Sequence, residues 1–249
     1  MDYVRNCIDL ENDLDTPVYR VFSSDRFFET FVSRTLALVR PHKWDDPFEN
    51  FLYQVKIESP DGNPVSVAGL RRKLFGQCWS LNDESDATWR IYSHAKDGIK
   101  CRSTVRKVFE AIYNPGDKYA SLRYFIGRVA YKSEGELLDL FADSDRYISI
   151  LTDTSGRGPV IALLSKRNEF RHEQEVRLIY QSPVDVPDDV HFFPLTDPND
   201  LFDELVFDPR MSAFYVKAFT NYLRSLGYTK PISQSRLYRL PEIPHKIIL

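Results

Sequence analysis

Glycine-, histidine- and cysteine-based signatures are missing from this sequence. Only 10 of its 249 residues are glycine, and none builds a GxGxxG turn or a Walker-type glycine–lysine loop. GxSxG, HExxH and paired CxxC motifs are absent as well. The five histidines, His42, His94, His172, His191 and His245, have no ligand spacing. Hydride transfer on a Rossmann domain, P-loop phosphoryl transfer and zinc hydrolysis therefore lose support. Cys7, Cys78 and Cys101 are scattered and odd in number, so neither a disulfide framework nor a structural metal is expected. No apolar run approaches the roughly 20 residues that cross a bilayer. The first residues, MDYVRNCIDLENDLD, lack a basic stretch followed by an apolar core. The expectation is a cytoplasmic protein with no membrane partner.

What is present is aromatic and mixed in charge. There are 17 Phe, 14 Tyr and 3 Trp, with 43% hydrophobic and 28% charged residues, the balance of a soluble globular chain. The length suits a single domain with its core over residues 17–240. Net charge is only −3, but it is uneven. Eight acids and no Lys or Arg lie between Pro183 and Pro209, whereas seven Lys or Arg and one acid, Glu242, follow from Arg210 onward. Other basic clusters are Arg71–Arg72–Lys73 and the run Lys96, Lys100, Arg102, Arg106, Lys107. Such blocks either pair across the fold or make a positive face for a polyanion, and pairing is the commoner use.

Periodicity predicts helices over 24–38, 85–96, 104–113, 134–142 and 211–226, with caps from Ser24, Ser85 or Asp86, and Ser103. Gly98 and Gly227 are expected to end the second and last of these. Alternating apolar residues predict strands over 17–22, 76–81, 99–102, 123–132, 174–181, 190–195, 203–208 and 232–238. Turn-forming combinations mark 58–64, 114–117, 153–158 and 195–200 as loops. Strands interspersed with helices, without a βαβ rhythm, imply an α+β fold with mainly antiparallel pairing.

The segment NEFRHEQEVRLIY, 168–180, carries the most telling pattern. As a strand it would place Glu173, Glu175 and Arg177 on one face and Val176, Leu178 and Tyr180 on the other. That face is either a solvated ion ladder or a catalytic carboxylate on a rigid strand. A second block, FGQCWSLNDESDATWRIYSHAKDGIKC, joins a strand ending in Trp79 and Ser80 to a helix bearing Trp89, Tyr92 and Ser93. Its aromatics suit stacking of a nicotinamide or base, or else ordinary core packing. Arg20, in TPVYRVF, is a third candidate, with an ion pair at the core rim as its structural alternative. Asp46 and Glu49 in WDDPFE read more readily as a cap or turn than as substrate contacts.

Taken together, the YR pair, PHKWDDPFE (41–49), CWS…TWRIYSHAKDGIKC (78–101), KRNEFRHEQEVRLIY (166–180), ELVFDPR (204–210) and ISQSRLY (232–238) resemble a bacterial domain-of-unknown-function family. Its hallmarks are an N-D-P-F-E box, W-x-x-Y before a glycine and an E-x-E-x-R strand. The chain departs from it at Asp45, where asparagine is usual, and at Arg90–Ile91. More remotely, an early strand Arg, a middle Ser or Tyr and a later E-x-E are similar in order to the ADP-ribosyltransferase superfamily. That resemblance implies a split, mainly antiparallel β-core with flanking helices that pinches NAD in a cleft. It implies NAD as substrate, with Arg20 on its phosphates or ribose, Ser80, Trp89 or Tyr92 on the nicotinamide side, and Glu175 catalytic. Glu173 would then position or deprotonate an acceptor, and Arg177 would hold Glu175 ionised or meet a phosphate. A nucleic-acid acceptor, a toxin or phage-defence role and a restraining antitoxin or chaperone belong to the same implication.

The chemistry agrees with these residue types. Breaking the nicotinamide–ribose bond develops oxocarbenium character, which a nearby carboxylate stabilises. Two other readings stay open. Asp46, Glu49, Glu173 and Glu175 could ligate Mg²⁺ in a nuclease, provided the two segments meet in space. Alternatively, the aromatics could serve a non-catalytic nucleotide-binding module.

Overall fold

The computed structural model describes residues 3–44, 46–49, 57–58, 61, 64–65, 69 and 72–240. Asp45, Arg71 and most of the 58–64 loop lie outside these residues. In chain order the first strands are β1 (Cys7–Ile8), β2 (Pro17–Phe22), β3 (Thr35–Val39), β4 (Ile57–Glu58), β5 (Pro64–Val65), β6 (Leu74–Ser80) and β7 (Ile99–Thr104). They are followed by β8 (Tyr124–Arg128), β9 (Ala130–Lys132), β10 (Ser165–Arg167), β11 (Glu175–Gln181), β12 (Val190–Pro194), β13 (Glu204–Phe207) and β14 (Ile232–Gln234).

Ten strands make one sheet, ordered β1-β8-β11-β6-β2-β7-β13-β14, from which β3 and β12 branch beside β6. Pairing within it is antiparallel except at β1 with β8 and β13 with β14. The architecture is the expected α+β one, with a split, mainly antiparallel β-core and flanking helices.

The split lies on one edge of β6. Its other edge pairs with β11 from Ser80 to Leu74. The split edge meets β3 at Gly76 and β2 at Ser80, one residue pair each. Between these points side chains replace ladder bonds. Gln77 Nε2 donates to the Ala37 carbonyl at 2.9 Å on the β3 branch, and Arg20 Nη1 donates to the Cys78 carbonyl on the β2 branch. A buried strand edge needs its carbonyls satisfied, and here side chains reach across the gap to do it.

Burial explains why β6 and β11 read as they do. Both are central strands, so β11 is buried on both faces from Glu175 to Tyr180. Val176, Leu178 and Tyr180 join the larger core with Trp79, Phe22 and Phe27. Ile179 joins a second core with Phe125, Val160 and Leu163, built under the helix Arg157–Leu163.

Several sequence expectations are corrected. The helix expected over 24–38 is Ser24–Ser33 followed by β3, because Arg34 takes a left-handed backbone, φ 52°, and the Leu36/Leu38 alternation that follows is buried. The helix expected over 85–96 covers only Asp86–Tyr92, so Gly98 does not end it. Caps fall on Ser23 and Thr104 rather than Ser24 and Ser103, while Ser85 caps as expected by accepting from the Thr88 N–H. The helices Ser144–Leu151 and Arg157–Leu163 were not foreseen. The acidic stretch 183–209 pairs with cations, as in Lys107 and Lys230 with Asp203, Arg210 with Asp208, and Lys43 with Asp189.

Gly76 is required by a close approach. A Cβ there would lie 2.7 Å from Trp44 Cζ2, and the Trp44 ring in turn lies 4.5 Å from the Arg177 guanidinium. Replacing Gly76 with Ala is expected to destabilise the protein by about 1–3 kcal/mol through overpacking. Urea unfolding measures this, and Trp44→Phe in the same background should recover part of the loss.

Candidate active site

The cleft opens on the face of the sheet where Glu175, Ser80 and Tyr19 stand side by side, being successive partners across β11, β6 and β2. Strand alternation puts Arg177, Cys78 and Val21 on that same face. The helix Asp86–Tyr92 packs over β2 and closes the cleft from above. Arg20, Ser80, Tyr92, Glu173 and Glu175 all line it, joined by Lys100 and His172.

Two expected ligand contacts are not found there. Trp89 is fully buried and donates from Nε1 to Glu84 Oε1 at 2.7 Å, so it is a core residue beneath the helix. Arg177 is also 0% exposed and cannot meet a substrate phosphate. Instead it donates from Nε to Glu175 Oε2 at 2.6 Å, from Nη1 to the Leu163 carbonyl at 2.6 Å, and from Nη2 to Glu49. The solvated-ladder reading of this strand face is therefore overturned, and Arg177 is a buried partner of Glu175.

Glu173 is not on the strand. It ends the 3₁₀ segment Asn168–Glu173, and Gln174, at φ 44°, turns the chain into β11. The turn is pinned to the end of β6: Ser80 Oγ donates to the Glu173 carbonyl at 2.7 Å, and Asn82 Nδ2 to the His172 carbonyl at 2.6 Å. Ser80 thus positions backbone, while the Tyr92 hydroxyl donates to Glu173 Oε1 at 3.3 Å. Both carboxylates still meet, because Lys166 on β10 lies between them. Its Nζ is 2.5 Å from Glu173 Oε2, 2.6 Å from Glu175 Oε1 and 3.2 Å from Glu49 Oε1.

Lys166 was not foreseen as a site residue, although it stands in the KRNEF block. Glu49, read as structural, is buried within this ion cluster. Its neighbour Asp46 accepts from Arg167 Nη2 at 2.7 Å, which ties the 46–49 segment to β10. The two acidic segments required by a Mg²⁺ nuclease do meet, but the Lys166 ammonium occupies the point where their carboxylates converge. Among the described residues no group of three His, Cys, Asp or Glu is arranged to hold a metal ion.

The electrostatics separate the two glutamates. Burial opposes ionisation of Glu175, but the Arg177 charge, the Glu173 hydrogen bond and Lys166 outweigh it and hold the carboxyl well below the usual range. Burial and the hydrogen bond to Glu175 push Glu173 up to about 7. Burial lowers the pKa of Arg20, whose Nε has no hydrogen-bond partner among the described residues. Burial and the charge of Glu173 raise that of Tyr92; its residue is 45% exposed, but its hydroxyl end points inward to Glu173. One carboxyl is favoured as the anion, its neighbour is shifted toward the protonated form, and a guanidinium stands across the gap with an unpartnered Nε.

Removing one side of a buried ion cluster strands the other. Arg177→Met is expected to destabilise the protein by about 3–5 kcal/mol, and Arg177→Lys to recover little of it because a single ammonium cannot reproduce the spread Nε, Nη1 and Nη2 donors that reach Glu175, the Leu163 carbonyl and Glu49. Equilibrium unfolding in urea reads both.

No protein-family model and no curated protein matches the chain, so the resemblance to the bacterial family of unknown function is not confirmed by them. Solved structures of DarT from Thermus sp. 2.9 are similar to it at low identity. The complex with NAD+ aligns at 15% identity and a TM-score of 0.40, covering 89% of this chain and 96% of that one. The complex with ADP-ribosylated ssDNA aligns at 14% and 0.41, covering 89% and 95%. The complex with carba-NAD+ aligns at 14% and 0.39, covering 89% and 96%.

Proposed function

We propose that the protein is an NAD-dependent ADP-ribosyltransferase that modifies nucleic acid, acting in the cytoplasm as a toxin or phage-defence effector. One observation carries this reading: Arg20, Ser80, Tyr92, Glu173 and Glu175 line a single cleft at the split of the sheet, with Glu175 held ionised by Arg177 and Lys166. NAD+ and ADP-ribosylated ssDNA are ligands of the Thermus protein; for this chain the reading stands on the cleft alone.

NAD supplies the ADP-ribosyl group, and positive charge develops on its ribose as the bond to nicotinamide breaks. The Glu175 carboxylate stabilises that charge and needs no reorganisation, because its second oxygen is already fixed by Arg177. Arg20 suits an anionic group: its guanidinium is buried, its Nε is unpartnered, and among the described residues no carboxylate pairs with it. Glu173, poised near neutrality, takes the proton of the acceptor. The partly exposed Tyr92 ring at the cleft offers a stacking surface for an acceptor base. The same reading includes an antitoxin or chaperone that restrains the active enzyme. The nuclease alternative is disfavoured by Lys166, which neutralises the carboxylates that a divalent ion would need.

The test is transfer of label from NAD to single-stranded DNA, RNA or lysate protein, with nicotinamide release measured in parallel. Glu175→Gln should slow nicotinamide release about a hundredfold or more. Absence of transfer, together with release unaffected by Glu175→Gln, would sink the reading.

Glu173 gives a pH signature. Its raised pKa means that the base form grows as pH rises through about 7, so transfer should rise across that range. Nicotinamide release in the absence of acceptor should stay flat there, since Glu175 is already ionised. Glu173→Gln should abolish the rise in transfer and leave release within about threefold of wild type.

A further inference from the structure

The cleft contains a second cation, held by a loosely placed partner. Lys100 stands on β7 opposite Val21 of β2, on the same face as Tyr19, Ser80 and Glu175. Only 7% of its side chain is exposed, and its Nζ lies 5.4 Å from the centre of the Tyr19 ring. Its ion pair is with Asp83 at 2.5 Å, and the Asp83 side chain is 67% exposed. Asp83 belongs to the connection between β6 and the helix Asp86–Tyr92, and it too lines the cleft.

Such a pair joins unequal partners. A buried ammonium needs a counter-charge, whereas an exposed carboxylate gains little from the contact and is readily rehydrated. Nearby, Arg20 presents an unpartnered Nε. The β2–β7 end of the cleft therefore carries two cations against one exposed acid, and the β11 end carries the Glu173/Glu175 pair. The row of partners from Glu175 runs through Ser80 and Tyr19 to Arg102, and Lys100 lies two residues along β7 from Arg102, so the backbones of Glu175 and Lys100 stand ~16 Å apart, three strand spacings across and two residue rises along. An extended dinucleotide with its glycosidic bond at Glu175 would send its diphosphate toward Lys100.

Resting on the reading of this cleft as a dinucleotide site, we propose that Lys100 is a diphosphate-binding residue. Asp83 is its resting partner, displaced into solvent when the diphosphate arrives. No covalent bond changes; one anion replaces another on the same ammonium. Lys100 contributes a point charge that tolerates rotation of the phosphate, and Arg20 contributes a directed donor.

The experiment uses the full chain and its Lys100→Met, Lys100→Arg and Asp83→Asn variants. Nicotinamide release gives kcat and KM for NAD, and titration calorimetry gives Kd for ADP-ribose and for inorganic pyrophosphate. Lys100→Met should raise KM and both Kd values about tenfold or more, with kcat changed less than about twofold. Lys100→Arg should restore most of the affinity. Asp83→Asn should tighten all three constants by about two- to fivefold, because the competing anion is gone. Asp83→Asn also keeps the proposal falsifiable if Lys100→Met fails to fold. Active wild type with unchanged constants in Lys100→Met, or weaker binding in Asp83→Asn, overturns the proposal and leaves the transferase reading standing. Wild type that binds ADP-ribose without turning over NAD overturns the transferase reading, and the variant Kd values still decide the role of Lys100. Wild type that binds neither NAD, ADP-ribose nor pyrophosphate overturns both.

Discussion

Arg177, Lys166, Glu49 and Glu175 are buried together with the half-buried Glu173 carboxylate beside them, and the candidate site depends on that cluster. Two cations and three acids out of water carry a desolvation penalty of several kcal/mol per ion. The penalty is offset only because each donor is used. Arg177 serves Glu175, Glu49 and a main-chain carbonyl, under the ring of Trp44. Lys166 touches all three carboxylates. An apolar cluster of equal volume would stabilise as well or better. What the ionic one provides is a buried carboxylate held toward its charged form.

The split sheet explains how such a carboxylate is reached. A continuous sheet would present a flat, covered face at β6, whereas the fork between β2 and β3 leaves a gap beside Cys78, between Gly76 and Ser80. Arg20 spans that gap to the Cys78 carbonyl and so belongs both to the scaffold and to the cleft. The scaffold uses one of its five N–H donors, and its buried Nε has no hydrogen-bond partner among the described residues. Ser80, likewise, holds the Glu173 carbonyl and lines the cavity. The same side chains thus close the sheet and furnish the site.

Much of this was legible in the sequence, and the failures have physical reasons. Alternation located β2, β11, β12 and β13 nearly to the residue, since each buries apolar side chains at period two. It failed at Glu173, where Gln174 takes a left-handed backbone that its residue type does not advertise. Arg34 did the same to the first helix. Trp89 and Tyr92 share a helix and were read together, but only burial distinguishes the core ring from the cleft ring. The role of Glu49 rests on Lys166 and Arg177, more than a hundred positions away, which no local pattern records, and Lys166, though within nine residues of Glu173 and Glu175, meets them from a strand of a separate sheet. The E-x-E-x-R motif pointed to two carboxylates that do share one cleft, although its Arg is buried against them.

The cluster also ties competence to the completion of folding. Arg177 and Glu49 are 128 positions apart, and Lys166 arrives on a strand of a separate small sheet with β9. Contacts of that range form late, after the entropy of closing long loops has been met. Until they do, Glu175 lacks the charges that keep it ionised, and the gap beside β6 has no walls. A partly folded chain consequently lacks the charge arrangement of the cleft, which appears only together with the native topology.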